Sequence, residues 1–396
     1  MKKPYTDIHL QKYAEIFVNF ALEVKPNKSV LLNVPESARD FLPFLYKSVL
    51  LAGAFPIVNF QAEGLSKIFY ENANSEQLNY FPKNSMLSKL EDTDYLISII
   101  SDLDPLELTG LDTKKIAERR LASGFYSKAY KEKMDKDPNF WTLGLFGTEK
   151  MAELAGLSLD EYWQQIIDAC FLNEEDPVKK FKEVFAQIEE AKNKLNELDI
   201  DSLHIKAEDI DLHVGLGENR QWLGGSGRNI PSFEVFVSPD WRKVEGKIAF
   251  TEPLLYQGNL LEGIELEFKN GEVVNFSAQK GEEILKEVLK VENANKVGEF
   301  SLTDKRFSRI QKFMASTLYD ENVGGEFGNT HIAIGSAYTD SCTISGMSPD
   351  QKKDLGFNES IIHIDIVSKK DRTVTALLKN GEEVVIYEKG MFTFLK

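Results

Sequence analysis

The chain has 396 residues, 42% of them hydrophobic, which is enough to bury a large core and favours two domains over one. Its formal net charge is -16 and its lysines and arginines are gathered on no single segment, so nucleic acid and other polyanions are excluded as partners. Cys170 and Cys342 form no CxxC pattern, no apolar stretch follows Met1-Lys2-Lys3, and no run reaches about 18 apolar residues; a disulfide scaffold, a thiolate zinc site and a membrane span are excluded, and a soluble cytoplasmic protein is expected.

Ile8, Tyr13, Ile16, Phe17, Phe20 and Ala21 recur at close to the helical period, which predicts an amphipathic helix over residues 8–24. Ser29-Val30-Leu31-Leu32-Asn33-Val34 is a short apolar run suited to a buried strand. A second helix runs from about Ala38 to Leu51, Gly53 stops it, and Pro56-Ile57-Val58-Asn59-Phe60 then reads as another strand. Asp94-Tyr95-Leu96-Ile97-Ser98-Ile99-Ile100 repeats the strand signal. Strands alternating with helices predict an α/β domain with a largely parallel sheet. No Gly-x-Gly-x-x-Gly or Walker-type loop follows any of these strands, so no nucleotide site is assigned.

From about residue 110 the pattern turns helical and charge-rich. It ends in a stretch from Val178 to Leu198 whose alternating charges predict an exposed helix that could link the domains. From Leu203 onward short alternating strands take over, among them Leu203-His204-Ile205, Asp211-Leu212-His213-Val214 and Val384-Val385-Ile386-Tyr387. Asn270-Gly271 and Asn380-Gly381 are hairpin signals, and one helix is expected near Gly281-Leu289. The predicted organisation is an N-terminal α/β domain with a helical linker over residues 1–198. A mostly β, α+β C-terminal catalytic domain follows over 199–396.

Four segments of this second half place acidic residues and histidines where solubility does not require them. They are Pro231-Ser232-Phe233-Glu234-Val235-Phe236, Gly298-Glu299-Phe300, Glu326-Phe327-Gly328-Asn329-Thr330-His331 and Ile362-His363-Ile364-Asp365-Ile366. The last is the clearest: alternate side chains of a strand share a face, so His363 and Asp365 project together while the isoleucines anchor the other side. Alternation alone also allows Glu234 to face water from an edge strand, and a glutamate such as Glu299 at a loop-strand junction is usually solvated. The glycines around Glu326 and His331 permit tight backbone paths, and the polar residues cluster there instead of alternating. His9, His204 and His213 lack such a setting and read as structural.

Glu234, Glu299, Glu326 and Asp365 together supply the charge to balance two divalent cations, with His331 and His363 as neutral nitrogen ligands. Oxygen and imidazole donors without thiolate suit Zn²⁺, Co²⁺ or Mn²⁺, and the sequence does not choose among them. A serine or cysteine hydrolase is not supported. No Gly-x-Ser-x-Gly elbow occurs, and Ser226 in Gly224-Gly225-Ser226-Gly227 belongs to a turn.

As an ordered set, Asn229-Ile230-Pro231, Glu234-Val235-Phe236, Glu245-Gly246, Tyr256-Gln257-Gly258, Gly298-Glu299, Asp320-Glu321-Asn322, the run from His331 through Gly335-Ser336-Ala337-Tyr338, and His363-Ile364-Asp365 resemble the aminopeptidase T and aminopeptidase S family of metallopeptidases. The resemblance implies a two-metal enzyme that removes N-terminal amino acids from peptides with a free N-terminus. It also implies a homodimer whose N-terminal α/β domain helps enclose the site. The family's ligands fall on Glu234, Glu299, Glu326, His331, His363 and Asp365, with Glu299 bridging. Tyr338 is then placed to steady the oxyanion, and Glu321, which lies in the same loop as Glu326 and has no ligand role, is the candidate to carry the proton. Phe233 departs from the pattern, where a small residue is expected before the ligand glutamate. Two other functions remain open from the sequence: a metal-dependent hydrolase of non-peptide amides, and a metal-stabilised binding protein without turnover.

Overall fold

The computed structural model describes residues 3–108, 110–137 and 139–396. The chain divides into two compact units, Met1–Lys182 with Ser226–Pro231, and Glu183–Gly225 with Ser232–Lys396. The boundary expected after residue 198 therefore falls earlier, inside the long helix Pro177–Glu197, and a short later segment returns to the first unit.

The strands in chain order are β1 (Ser29–Pro35), β2 (Phe55–Gln61), β3 (Tyr95–Ile100), β4 (Trp141–Leu145), β5 (Ile200–Lys206), β6 (Ile210–Gly215), β7 (Leu223–Gly224), β8 (Asn229–Ile230), β9 (Glu234–Val237) and β10 (Val244–Ala249). They continue as β11 (Leu254–Tyr256), β12 (Asn259–Leu261), β13 (Glu265–Lys269), β14 (Glu272–Ser277), β15 (Val297–Thr303), β16 (Asn329–Gly335), β17 (His363–Ser368), β18 (Thr373–Leu378), β19 (Glu383–Glu388) and β20 (Met391–Phe392).

The first unit is built on a parallel sheet in the order β2-β1-β3-β4-β8. Val30, Leu31, Leu32 and Val34 are all buried along β1, the continuous apolar burial of a strand covered on both faces. The helix expected over residues 8–24 runs as Asp7–Glu15 and continues through a wider π-helical turn, Ile16–Ala21. Tyr13 from that helix donates to the carbonyl of Leu145 at 3.0 Å and accepts from its N–H at 3.1 Å. Gly144 lets β4 come this close, since a Cβ there would stand 2.3 Å from the Phe17 ring.

Two expectations for residues 110–198 are corrected. The region is not helical throughout: Trp141-Thr142-Leu143-Gly144-Leu145 is β4, because this apolar run completes the parallel sheet between β3 and β8. The helix Pro177–Glu197 is also not simply exposed. Phe181, Val184, Phe185, Ile188, Ala191 and Leu195 recur every three or four residues and are buried, so its charges occupy only the opposite face.

The second unit is β-rich and antiparallel. An eight-stranded sheet runs β14-β13-β10-β6-β5-β18-β19-β20, a five-stranded sheet runs β17-β16-β15-β9-β7, and β11 pairs with β12. Asn270 and Gly271 both take positive φ, 50° and 78°, and close the β13-β14 hairpin as the Asn-Gly pair predicts. The helix expected near residue 281 spans Glu282–Leu289. All seven residues of β15 and of β16 are buried, so polar side chains on these strands face the interior.

Candidate metal centre

Alternation along the five-stranded sheet decides which side chains meet. On β15, Glu299, Ser301 and Thr303 share a face. In register, Thr303 lies opposite Glu234 of β9, Ser301 opposite His331 of β16, and Glu299 opposite Ala333. Ala333 in turn pairs with Asp365 of β17, and Gly335 with His363. The small residues Ala333 and Gly335 thus stand where larger side chains would crowd the carboxylates and imidazoles. A glycine is required at Gly335: its φ is 101°, and a Cβ would lie 2.2 Å from the carbonyl of Ile362.

The side chains converge on His331. Its Nε2 lies 3.0 Å from Glu299 Oε1, 3.2 Å from Glu234 Oε2 and 3.8 Å from Asp365 Oδ1. His363 Nε2 lies 3.3 Å from Asp365 Oδ1 and 3.8 Å from Glu299 Oε2. The other ring nitrogen of His363 donates to the carbonyl of Ser336 at 2.7 Å, which fixes the tautomer and leaves the Nε2 lone pair facing the carboxylates. Ser301 donates to Glu234 Oε2 at 2.9 Å and holds that carboxylate in place.

Of the residues expected from the sequence, Glu234, Glu299, His331, His363 and Asp365 come together, and Glu326 does not join them. Glu326 is exposed on the loop of residues 324–328, and no ion pair ties it to either histidine among the described residues. Glu321 is buried instead, in the field of Glu234 and Asp365. The cause is the path of the loop. The short helix Thr317–Asp320 delivers Glu321 inward, Asn329 Nδ2 clamps its backbone carbonyl at 2.9 Å, and Asn322 Nδ2 reaches its carboxylate at 3.2 Å. Gly325 and Gly328, both at positive φ, then turn the segment outward so that Glu326 faces solvent. Asn322 also accepts from the backbone N–H of Phe233, whose side chain is fully buried. Sequence reasoning passed over Ser301 and gave Asn322 and Asn329 no role of their own. The available signal was the alternation Glu299-x-Ser301-x-Thr303, which puts polar groups on one face of an otherwise apolar strand.

Tyr338 keeps 49% of its surface open while its ring packs on His363 at 4.7 Å between centroids and on Phe236 at 5.9 Å. Burial of the hydroxyl, then the charges of Glu299 and Asp365, push its pKa well above the ordinary tyrosine value, so it stays protonated as a donor.

The electrostatics favour a cation. Four carboxylates, those of Glu234, Glu299, Glu321 and Asp365, face two imidazoles, so the site stays negative even with both rings charged. Burial and then Glu234 push Glu299 up to about 7, despite its bond to His331. Burial, then Glu234 and Asp365, raise Glu321 well above its usual range. Burial works against charge on both rings, yet His331 is raised by Glu234 and Glu299, and His363 is pushed up to about 9 by Asp365. Without a cation the cluster must therefore hold protons to relieve its own repulsion. Oxygen and imidazole donors, buried and in excess negative charge, fit divalent metal ions.

Residues 6–392 match the family described as Thermophilic metalloprotease (M29). The chain belongs to this family. Among its relatives, Aminopeptidase AmpS of Bacillus subtilis is 31% identical over 97% of this chain and 98% of that protein. Aminopeptidase T of Thermus thermophilus is 29% identical over 96% of this chain and 98% of its own length. The solved structure of wild-type AmpT from Thermus thermophilus matches with a TM-score of 0.85 at 26% identity, covering 97% of this chain and 99% of that one. Family membership makes the protein a metal-dependent peptidase, a hydrolase of peptide bonds. The α/β unit followed by a β-rich unit is the architecture it shares with that neighbour. No helix among the described residues is long and apolar enough to cross a membrane.

Proposed function

We propose that the protein is an aminopeptidase that removes N-terminal amino acids from peptides and uses two divalent cations, Zn²⁺, Co²⁺ or Mn²⁺, to do so. The observation that supports this reading most is the convergence on His331 Nε2 of three carboxylates, within 3.0 to 3.8 Å, in a chain of a metalloprotease family whose relatives are named aminopeptidases. Glu234, Glu299, His331, His363 and Asp365 would hold the ions, with Glu299 reaching both histidines, and the charge of Glu321 completes the balance. When bound, such ions polarise the scissile carbonyl and make water acidic enough to attack at neutral pH.

The chain's own residues do the rest. Glu321, together with Asp365, Thr317 and Leu254, lines a cavity of about 60 Å³. With the ions bound and its carboxylate charged, Glu321 accepts a proton from the attacking water and passes it to the leaving amine. Tyr338, kept protonated, donates a hydrogen bond to the oxyanion as it develops. The substrate's free α-amine would pair with one of the cluster's carboxylates, a contact that a capped peptide cannot make. Action as a homodimer, which the resemblance implies, and a cytoplasmic location are part of the same proposal.

The test is release of free amino acids from an unblocked peptide and from its N-acetylated form, before and after dialysis against chelator. Activity should vanish with the chelator, return on adding a divalent cation, and be absent on the acetylated peptide. Equal cleavage of the two peptides would overturn the aminopeptidase reading, and amide hydrolysis confined to non-peptide substrates would replace it.

A further inference from the structure

A second constellation of ligand-type side chains lies on the eight-stranded sheet, and its histidines, His204 and His213, read as structural along the chain. β5 and β6 pair so that His204 stands directly opposite His213, and Lys206 opposite Asp211. Alternation buries Leu203, Ile205, Leu212 and Val214, which turns His204, Asp211 and His213 to the outer face together. The two imidazole rings stack with centroids 4.0 Å apart and planes 12° from parallel. His204 Nε2 lies 2.7 Å from Asp211 Oδ1, and His213 Nε2 lies 4.0 Å from the same oxygen.

We propose that His204, Asp211 and His213 form a second, surface metal site that takes a divalent transition-metal ion of the zinc class and clips β5 to β6. One ligand atom from each residue lies within 4.8 Å of the other two. Zinc sits at about 2.0–2.2 Å from imidazole nitrogen and carboxylate oxygen, so ligand atoms around it stand roughly 3.2–3.5 Å apart. The observed separations of 2.7 and 4.0 Å bracket that spacing, and the two rings, now stacked, must turn so that both nitrogen lone pairs face the ion. Two nitrogens and one oxygen select zinc, copper or nickel over calcium or magnesium. Three protein ligands on an open face leave the remaining positions to water.

The surroundings set the limits on affinity. Glu245 of β10 lies opposite His213 and adds negative charge, whereas Lys206 and Lys247 flank Asp211 and oppose a cation, and Thr375 of β18 lies opposite His204. This site is independent of the peptidase reading, since none of its residues belongs to the catalytic cluster.

The experiment is equilibrium dialysis of the intact protein against Zn²⁺ at pH 7.5, with elemental analysis of wild type, His213→Gln and His204→Ala. Each variant should retain wild-type peptidase activity and carry one zinc fewer per chain at matched free zinc. Equal zinc content in all three refutes the site. A second measurement needs no variant: diethylpyrocarbonate labelling read by mass spectrometry should modify His204 and His213 freely without zinc and several-fold more slowly with it. Unchanged labelling likewise overturns the proposal. Because the comparison is between proteins that share the catalytic cluster, loss of peptidase function and loss of this site give different results.

Discussion

Exchanging Glu321 and Glu326 for glutamine, one at a time, separates the two candidates for the fourth carboxylate. Glutamine preserves the size of the side chain. At position 321 its amide oxygen can still accept from Asn322 Nδ2, now at 3.2 Å, and the backbone clamp from Asn329 is untouched, so the fold should persist. The variant loses the only thing glutamine lacks, a titratable proton and its charge beside Glu234 and Asp365. General acid-base groups contribute about 10²–10⁴-fold, which at about 1.36 kcal/mol per tenfold is roughly 3–5 kcal/mol of barrier. The Glu321→Gln protein should therefore lose at least about a hundredfold in kcat. Glu326→Gln changes an exposed loop residue, should shift stability by no more than about 0.5 kcal/mol, and should leave kcat where it was. Initial rates on an unblocked dipeptide, with circular dichroism as a check of folding, decide the matter. An inactive Glu326→Gln beside an active Glu321→Gln refutes the reasoning from burial.

Tyr338→Phe removes the hydroxyl and keeps the ring against His363, so kcat should fall by about 10²–10³ with KM little changed, and a loss confined to KM contradicts the oxyanion role. Gly335→Ala forces a side chain into a φ of 101° and onto the Ile362 carbonyl. It should destabilise the protein by about 1–3 kcal/mol in denaturant melts, and wild-type stability would show that the strand tolerates a Cβ there. The metal-free protein should lose stability as pH rises from 6 to 9. Glu299, raised by burial to about 7, binds more protons folded than unfolded, so its contribution is lost as pH climbs through that value. His363, against the effect of burial, is raised by Asp365 to about 9, and its contribution is complete below its unfolded pKa of about 6.5 and lost through the folded one. Both signs agree. Calorimetry on chelated protein should show the midpoint falling across this range and a saturating divalent cation removing the fall; a flat or rising midpoint in the chelated protein counts against it.

Much of the site was legible because β-structure writes its geometry with a period of two. His363 and Asp365 share a face by that rule alone, and the apolar runs of β1, β2 and β3 announced a parallel sheet without reference to their partners. The Asn270-Gly271 turn is equally local, since its φ values follow from the two residues that occupy it. The choice between Glu321 and Glu326 has no such period. It depends on where a short helix ends, on the carbonyls that Asn329 clamps and on two glycines that reverse the chain, all contacts between residues that alternation does not relate.

Taken alone, the residue order determined the parallel α/β character of the first half, the β-rich character of the second, and the types of side chain available for metal chemistry. Only the tertiary structure decided which of them meet. Antiparallel register sets Glu299 against Ala333 and Ala333 against Asp365, it brings His204 onto His213 across two strands, and parallel pairing draws residues 229–230 back beside β4. Such pairings form through hydrogen bonds and burial between strands, most of them far apart in the chain, and their register is not encoded by local propensity.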